Sequence, residues 1–185
     1  VDAHTTGTPI RVVTSGIPTL RGNTVSEKMD YMRSNYDWMR KSLMRQPRGF
    51  LSLVGAVLTS PCCGEADYVD ALTYQPMCGA GTLSVAKVLV ETGMVKAEEP
   101  VTTIKLETPS GLVTVFVEIK DDVVRSVSLE NVPAFLYERD LEIDVSGVGK
   151  LVVDIGFGGN FFTLVDIESI GKKIERKNIN ELREL

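Results

Sequence analysis

The chain has 185 residues, 43% of them hydrophobic and 24% charged, with a formal charge of −5. That suffices for one sizeable core or two small domains. No Lys/Arg run interleaves with aromatics, which argues against a nucleic-acid partner, and no apolar run approaches the roughly 20 residues that span a bilayer.

Residues 1–14 read as strand–turn–strand, with Gly7-Thr8-Pro9 as the break and Ile10-Arg11-Val12-Val13 as the second run. The chain begins at Val1 without an initiator methionine, so a trimmed N-terminus is expected, and no signal peptide is visible. His4 is the single histidine. Without partners it makes neither a His-based triad nor a multi-histidine metal site, and it reads as a hydrogen-bonded strand residue. Thr24-Val25-Ser26-Glu27 fits a capping box, in which hydroxyl and carboxylate satisfy the first helical amides reciprocally. Val25, Met29, Met32, Tyr36, Met39 and Leu43 then recur every three or four residues, the apolar stripe of an amphipathic core-packing helix. That helix stops by Gln46, ahead of Pro47.

A buried strand is expected over 51–59, then a Pro61-Cys62-Cys63-Gly64 turn and a short strand near 68–72. The three cysteines, an odd and low count, argue against a disulfide framework and for a reducing cytoplasm. Adjacent Cys62 and Cys63 lack zinc-site spacing and read as incidental thiols, and no metal site is expected.

Met77-Cys78-Gly79-Ala80-Gly81-Thr82 leads into a helix over 83–92 that is apolar almost all round, which is expected to be buried on every side. Gly93 is placed to be its left-handed cap. The first amides of a helix lack internal partners and carry partial positive charge, so they can hold a carboxylate. A thiol placed there ionises more readily. Cys78 could then combine a thiolate base with an anion cradle, a pairing suited to an amino acid, which carries a carboxylate beside a weakly acidic Cα–H. Free cysteines are also common as small buried apolar residues, and the residues alone leave both readings open.

Beyond Gly93 the pattern alternates. Strands are expected over 101–107, 111–119 and 123–130, with turns at Thr108-Pro109-Ser110-Gly111 and Asp121-Asp122. Further strands over 150–155 and 161–165 flank a Gly156-Phe157-Gly158-Gly159-Asn160 turn. That turn lacks the lysine of a phosphate-binding loop, and Phe157 and Phe161 are read as core. A polar helix covers at least 180–185.

Five segments in order resemble the proline racemase family, which includes hydroxyproline 2-epimerases and trans-3-hydroxyproline dehydratases. They are Asp2-Ala3-His4-Thr5-Thr6-Gly7-Thr8-Pro9-Ile10-Arg11-Val12-Val13, Gln46-Pro47-Arg48-Gly49, Met77-Cys78-Gly79-Ala80-Gly81-Thr82, Asn131-Val132-Pro133-Ala134-Phe135 and Asp154-Ile155-Gly156-Phe157-Gly158-Gly159-Asn160-Phe161. The resemblance covers essentially the whole chain. It implies an α+β fold of diaminopimelate-epimerase type, each half a mostly antiparallel sheet wrapped around a central helix. Residues 1–123 would be the first domain, carrying Cys78, and 124–185 the incomplete start of a second.

The resemblance further implies a cofactor-independent amino-acid racemase or epimerase of proline or hydroxyproline type. In such enzymes two cysteines face opposite sides of the substrate Cα, one removing a proton and the other returning one. Cys78 would be one base. The amides of Gly79 and Ala80 would bind the substrate carboxylate, and Gly81 and Thr82 would open the helix. The expected partner is a small amino acid rather than nucleic acid or membrane, and a homodimer stays open. Four departures stand out. Ala80 replaces a histidine that helps hold the substrate amino group. Thr8 and Gln46 replace glutamates, near structural arginines such as Arg11 and Arg48. The stretch between Asp70 and Tyr74 is short. Family members continue well past residue 185, where their second cysteine lies, so this chain alone is expected to be inactive. A trans-3-hydroxyproline dehydratase needs only one base thiolate and is an alternative. A non-catalytic paralogue that binds a small acid or a partner chain is another.

Overall fold

A computed structural model of the chain describes residues 1–66, 68–70 (backbone only) and 74–184. The chain divides into two compact units, Val1–Val132 and Pro133–Leu185.

In the first unit β1 (Asp2–Thr5) and β2 (Thr8–Val13) form a tight hairpin. Its loop is Thr6-Gly7, both with positive φ (48° and 87°), rather than the expected Gly7-Thr8-Pro9. Two-residue hairpins need left-handed residues at the turn. Pro9 is admitted to β2 because pairing with the next strand begins only at Ile10.

The helix α1 (Val25–Met44) starts at the expected cap: the Glu27 amide donates to Thr24 Oγ1 (3.2 Å), while the Glu27 carboxylate accepts from the amide of Asn23 (2.7 Å), one residue before the cap, rather than from that of Thr24. It is not one continuous rod. Tyr36 leaves helical geometry (φ −134°, ψ 17°), and the apolar stripe slips by a residue beyond it, burying Met44 while Leu43 is half-exposed. Strands β3 (Val54–Thr59) and β4 (Tyr68–Asp70) follow. Leu72 and the short stretch before Tyr74 fall among or beside 71–73, outside the described residues.

The second helix, α2 (Gly79–Glu91), is followed by Gly93 in the left-handed region (φ 71°), as expected of its cap. Then come β5 (Val101–Thr108), β6 (Gly111–Lys120) and β7 (Val123–Glu130). The seven strands form one sheet in chain order, with β2–β3 and β4–β5 parallel and the other pairs antiparallel. Each parallel pair requires a long crossover; α1 supplies the first and α2 the second.

Enclosure of α2 organises this unit. It packs against β1, β2, β3, β6 and β7. Val85, Ala86 and Leu89 have no exposed surface, and on the strands the same holds for Ile10, Val12, Ile104, Leu106, Val113, Val115 and Val117. The alternating burial of β5 and β6 is that of a sheet with one covered face. Ala56, Val57 and Leu58 are buried in succession on β3, since both of its faces are covered: α2 packs on this strand, and Val57 joins Leu20 and Met32 under α1.

β7 lies in this first sheet, so the unit boundary falls at 132/133, whereas 123/124 is expected from sequence. The second unit contains β8 (Phe135–Val145), β9 (Gly149–Phe157) and β10 (Phe161–Val165) in an antiparallel sheet of order β10-β9-β8. β8 is absent from the sequence expectation. Its alternation breaks at a register shift between Glu138 and Leu141, where Asp140 has φ 53° and donates its amide to Asp154 Oδ1 (2.9 Å). Phe135, Phe157 and Phe161 cluster, with Phe135 stacked on Phe157 at 4.9 Å between centroids. A short helix, α3 (Ile179–Leu182), stands where the polar terminal helix is expected, and Leu185 is outside the described residues.

The enclosure of α2 is open to a direct check. Leu89→Ala should cost about 3 kcal/mol of unfolding free energy in urea titration, the usual range for a fully packed leucine. A loss below about 1 kcal/mol, typical of a partly exposed site, would mean the sheet does not close around the helix.

Candidate active site around Cys78

The chain turns into α2 at Cys78. This residue is the cap position, with extended geometry (φ −137°, ψ 106°) and a half-buried thiol. The helix begins at Gly79, four residues before the expected start of the apolar run, because Thr82 closes a first turn over the glycines. The Thr82 amide and hydroxyl both donate to the Cys78 carbonyl, at 2.9 and 3.0 Å.

That turn leaves the amides of Gly79, Ala80 and Gly81 without a protein acceptor among the described residues, as the geometry of a helix start requires. A methyl group built on Gly79 would meet nothing within 4 Å among the described residues. The Ala80 carbonyl, on the other side of the peptide chain, is committed: it accepts from Thr5 Oγ1 at 2.8 Å. Thr5 Oγ1 also lies 2.7 Å from Ser84 Oγ, so β1 is tied to α2 at two consecutive levels. Of the five residues singled out from sequence, Cys78, Gly79 and Ala80 are partly exposed. Gly81 and Thr82 are buried. Thr82 serves the turn itself, with both of its donors engaged.

The segment leading to Cys78 is fixed at several points. Met77 is buried, and the Pro76 carbonyl accepts from the Ser110 amide at 3.2 Å. Tyr74 donates its hydroxyl to Asp37 Oδ1 at 2.9 Å, and its ring lies under Arg33, whose guanidinium carbon is 4.6 Å from the centroid. Asp37 is gripped in turn by Arg40 (Nε–Oδ1 2.7 Å) and Lys41 (Nζ–Oδ2 2.9 Å). These hydrogen bonds, Arg40 first and then Lys41, hold its carboxyl well below the usual carboxylate range. Nothing in the local sequence pattern marked this cluster; its one hint was Asp37-Trp38-Met39-Arg40, an acid and a base at helical i,i+3 spacing.

Elsewhere, His4 is exposed on β1, and its Nδ1 accepts a long bond from the Gly7 amide (3.4 Å). The Cys62 and Cys63 amides both donate to Glu107 Oε2, at 2.7 and 3.2 Å, so that turn is capped by a carboxylate. Asp121 and Asp122 form the expected turn, with φ 55° and 57°. Arg11, where the family pattern has nearby glutamates, meets Asp2 through two bonds and the carbonyls of Leu43 and Arg48 at 2.6 Å. A cleft of about 320 Å³ lies between β1 and β7, lined in part by Thr6, Ser84, Lys87 and Arg125; Cys78 does not line it. Among the described residues no cluster of His, Cys, Asp and Glu is arranged to hold a metal. No described helix is long and apolar enough to cross a membrane.

A family model described as proline racemase matches residues 1–185. The proline racemase of Clostridioides difficile is 42% identical over 189 residues, covering 100% of this chain and 56% of that protein. The 4-hydroxyproline 2-epimerase of Streptosporangium roseum is 41% identical, covering 98% of this chain and 56% of that protein. The structure of a hydroxyproline epimerase from Agrobacterium vitis, with trans-4-hydroxy-L-proline bound, superposes with a TM-score of 0.88 at 30% identity, covering 99% of this chain and 55% of that one. The chain thus spans about half the length of the relatives it matches.

The Asp37 cluster carries a pH signature. Its folded-state pKa is lowered, so as pH falls the unfolded chain binds the proton first. The stabilisation from pairing is complete above the ordinary carboxylate value near pH 4 and is lost as pH falls below it. Asp37→Asn should therefore cost about 1 kcal/mol at pH 7, modest because the pair is partly solvated. That difference should be clearly smaller by about pH 2, since it declines as pH falls below the ordinary carboxylate value. Urea unfolding at the two pH values is the check, and a gap that stayed constant would place its origin elsewhere.

Proposed function

The chain belongs to the proline racemase family, and we propose that it supplies one acid–base cysteine, Cys78, of a cofactor-independent isomerase acting at the Cα of proline or a hydroxyproline. The observation that carries this reading is the junction at Cys78: a half-buried thiol at the cap of α2, beside first-turn amides with no acceptor among the described residues. The substrate class follows from the relatives, a proline racemase, a 4-hydroxyproline 2-epimerase and a hydroxyproline epimerase holding trans-4-hydroxy-L-proline.

The chemistry is a proton transfer in two halves. The Cys78 thiolate takes the α-proton, forming S–H as the Cα–H bond breaks, and the electron pair moves into the substrate carboxylate. Charge thereby grows on the carboxylate oxygens. The amides of Gly79 and Ala80 are placed to receive those oxygens, and fixed amides stabilise such charge without reorganising. A proton returned from the opposite face of Cα inverts the centre. We assign that second donor to the part of the relatives' length that this sequence does not span. Ala80 offers its amide but no imidazole, so the substrate amino group is held by fewer contacts than the family pattern provides.

Alkylation separates this reading from a bystander thiol. Iodoacetamide at pH 7 should modify Cys78 at least tenfold faster than Cys62 or Cys63, and pyrrole-2-carboxylate, a planar proline mimic, should protect it. Equal rates at all three thiols would sink the assignment. In the gene product that carries this sequence, Cys78→Ser should slow deuterium wash-in at the Cα of proline or 4-hydroxyproline by about 10²-fold or more. Loss of water from trans-3-hydroxyproline, with no inversion of either substrate, would instead mark a dehydratase.

Gly79→Ala tests the amide cradle separately. Alanine is better than glycine in a helix by up to about 1 kcal/mol, and nothing among the described residues crowds its methyl. The variant should therefore melt no lower than the parent while pyrrole-2-carboxylate protects Cys78 less well. Undiminished protection would move the carboxylate away from this turn.

A further inference from the structure

Tyr74 has φ +57°, a left-handed backbone that costs a non-glycine residue roughly 1–2 kcal/mol. Such a conformation persists only where its surroundings hold it, and here they are specific. The hydroxyl is bound to Asp37 at 2.9 Å, and two guanidinium groups lie against the ring, Arg33 at 4.6 Å and Arg40 at 5.5 Å from its centroid. Asp37 is held by Arg40 and Lys41. It directly follows Tyr36, where α1 departs from helical geometry. The break in α1 and the strained backbone at Tyr74 therefore meet at one hydrogen bond.

Only three residues separate Tyr74 from Cys78, and two of them are pinned as well: Pro76 through its carbonyl to the Ser110 amide, and Met77 by burial. Cys78 is extended rather than helical. Its thiol direction is thus set jointly by α2 on one side and by the incoming segment on the other. Fixing α2 alone would leave the incoming segment free to rotate about Cys78.

We infer that Asp37 and Tyr74 form a latch that positions residues 74–78, and through them the Cys78 thiol, for proton transfer. They are positioning residues; neither needs to touch the ligand. The inference rests on the reading of Cys78 as an acid–base residue, while the latch itself is testable without it. The raised pKa of Tyr74, from burial and then from its bond to Asp37, agrees with a phenol that stays protonated as a donor.

Tyr74→Phe removes the hydroxyl and keeps the ring against the arginines. Hydrogen exchange on the protein with its full chain should then show the amides of Gln75, Met77 and Cys78 exchanging at least fivefold faster, with residues 25–35 of α1 unchanged. In the Cα deuterium wash-in assay kcat should fall about tenfold or more while KM stays within twofold, the pattern of a displaced reacting group rather than of weakened binding. Asp37→Asn, which retains an acceptor for the phenol, should stay closer to the parent than Asp37→Ala in both readouts. Unchanged exchange at Gln75, Met77 and Cys78 overturns the latch whether or not Cys78 is catalytic. Faster exchange with unchanged kcat overturns its positioning role. If Cys78→Ser leaves wash-in intact, the functional reading fails by itself, and the exchange result still decides the latch.

Discussion

A helix that is apolar on nearly every face cannot rest on a flat sheet; it has to be surrounded. That constraint, imposed by the run Leu83-Ser84-Val85-Ala86-Lys87-Val88-Leu89-Val90, shapes the first unit of this chain. The sheet must supply strands on several sides, and five strands of a seven-stranded sheet pack on the helix, two pairs in that sheet being parallel and reached by helical crossovers. Burial of the rod satisfies its side chains and most of its backbone internally. The first turn is the exception, since no helix can satisfy its own opening amides. The same feature that builds the core therefore leaves a small, fixed, electropositive spot at one end, and Cys78 sits at that end.

The polar contacts around this spot have a common character. Apart from the local bonds of Thr82 to the Cys78 carbonyl, each ties an element distant in sequence to the neighbourhood of α2. Thr5 reaches Ala80 and Ser84, Ser110 reaches Pro76, and Asp37 reaches Tyr74. Apolar burial by itself tolerates small slips, because it is non-directional. Hydrogen bonds do not tolerate them, because they weaken steeply with angle. Around Cys78 this chain layers the second kind of contact on the first.

Much of the frame was legible in the residues. The capping residue Thr24, the all-round apolar helix, the left-handed Gly93, the strands β5, β6 and β7 and the alternation of the first two each follow from local rules, and each is present. What escaped was non-local or locally irregular. β8 was hidden because a bulge at Arg139-Asp140 shifts the phase of its alternation, and a period of two is unreadable across a phase change. The slip at Tyr36 hid the kink in α1 for the same reason. The position of β7 in the first sheet could not be read from its own sequence, because a strand's sheet is decided by its neighbour. The Asp37–Tyr74 contact spans 37 residues, and pairwise spacing rules reach only one turn of a helix. Cys78 and Gly79 were legible as a helix start; the commitment of Thr82 to the turn was visible only once the carbonyl of Cys78 had a position.

The double tether of Thr5 has a mechanical consequence. One hydroxyl bridges two successive turns of α2 to the edge strand β1, which the hairpin joins rigidly to β2. Hairpin and rod are thereby stitched into a single stiff block, in which neither can slide without rupturing both bonds together. Whatever compliance remains beside Cys78 has to come from the other side of the seam. Here that is the incoming segment, which is held by the Tyr74–Asp37 bond, by the bond from the Ser110 amide to the Pro76 carbonyl and by the burial of Met77.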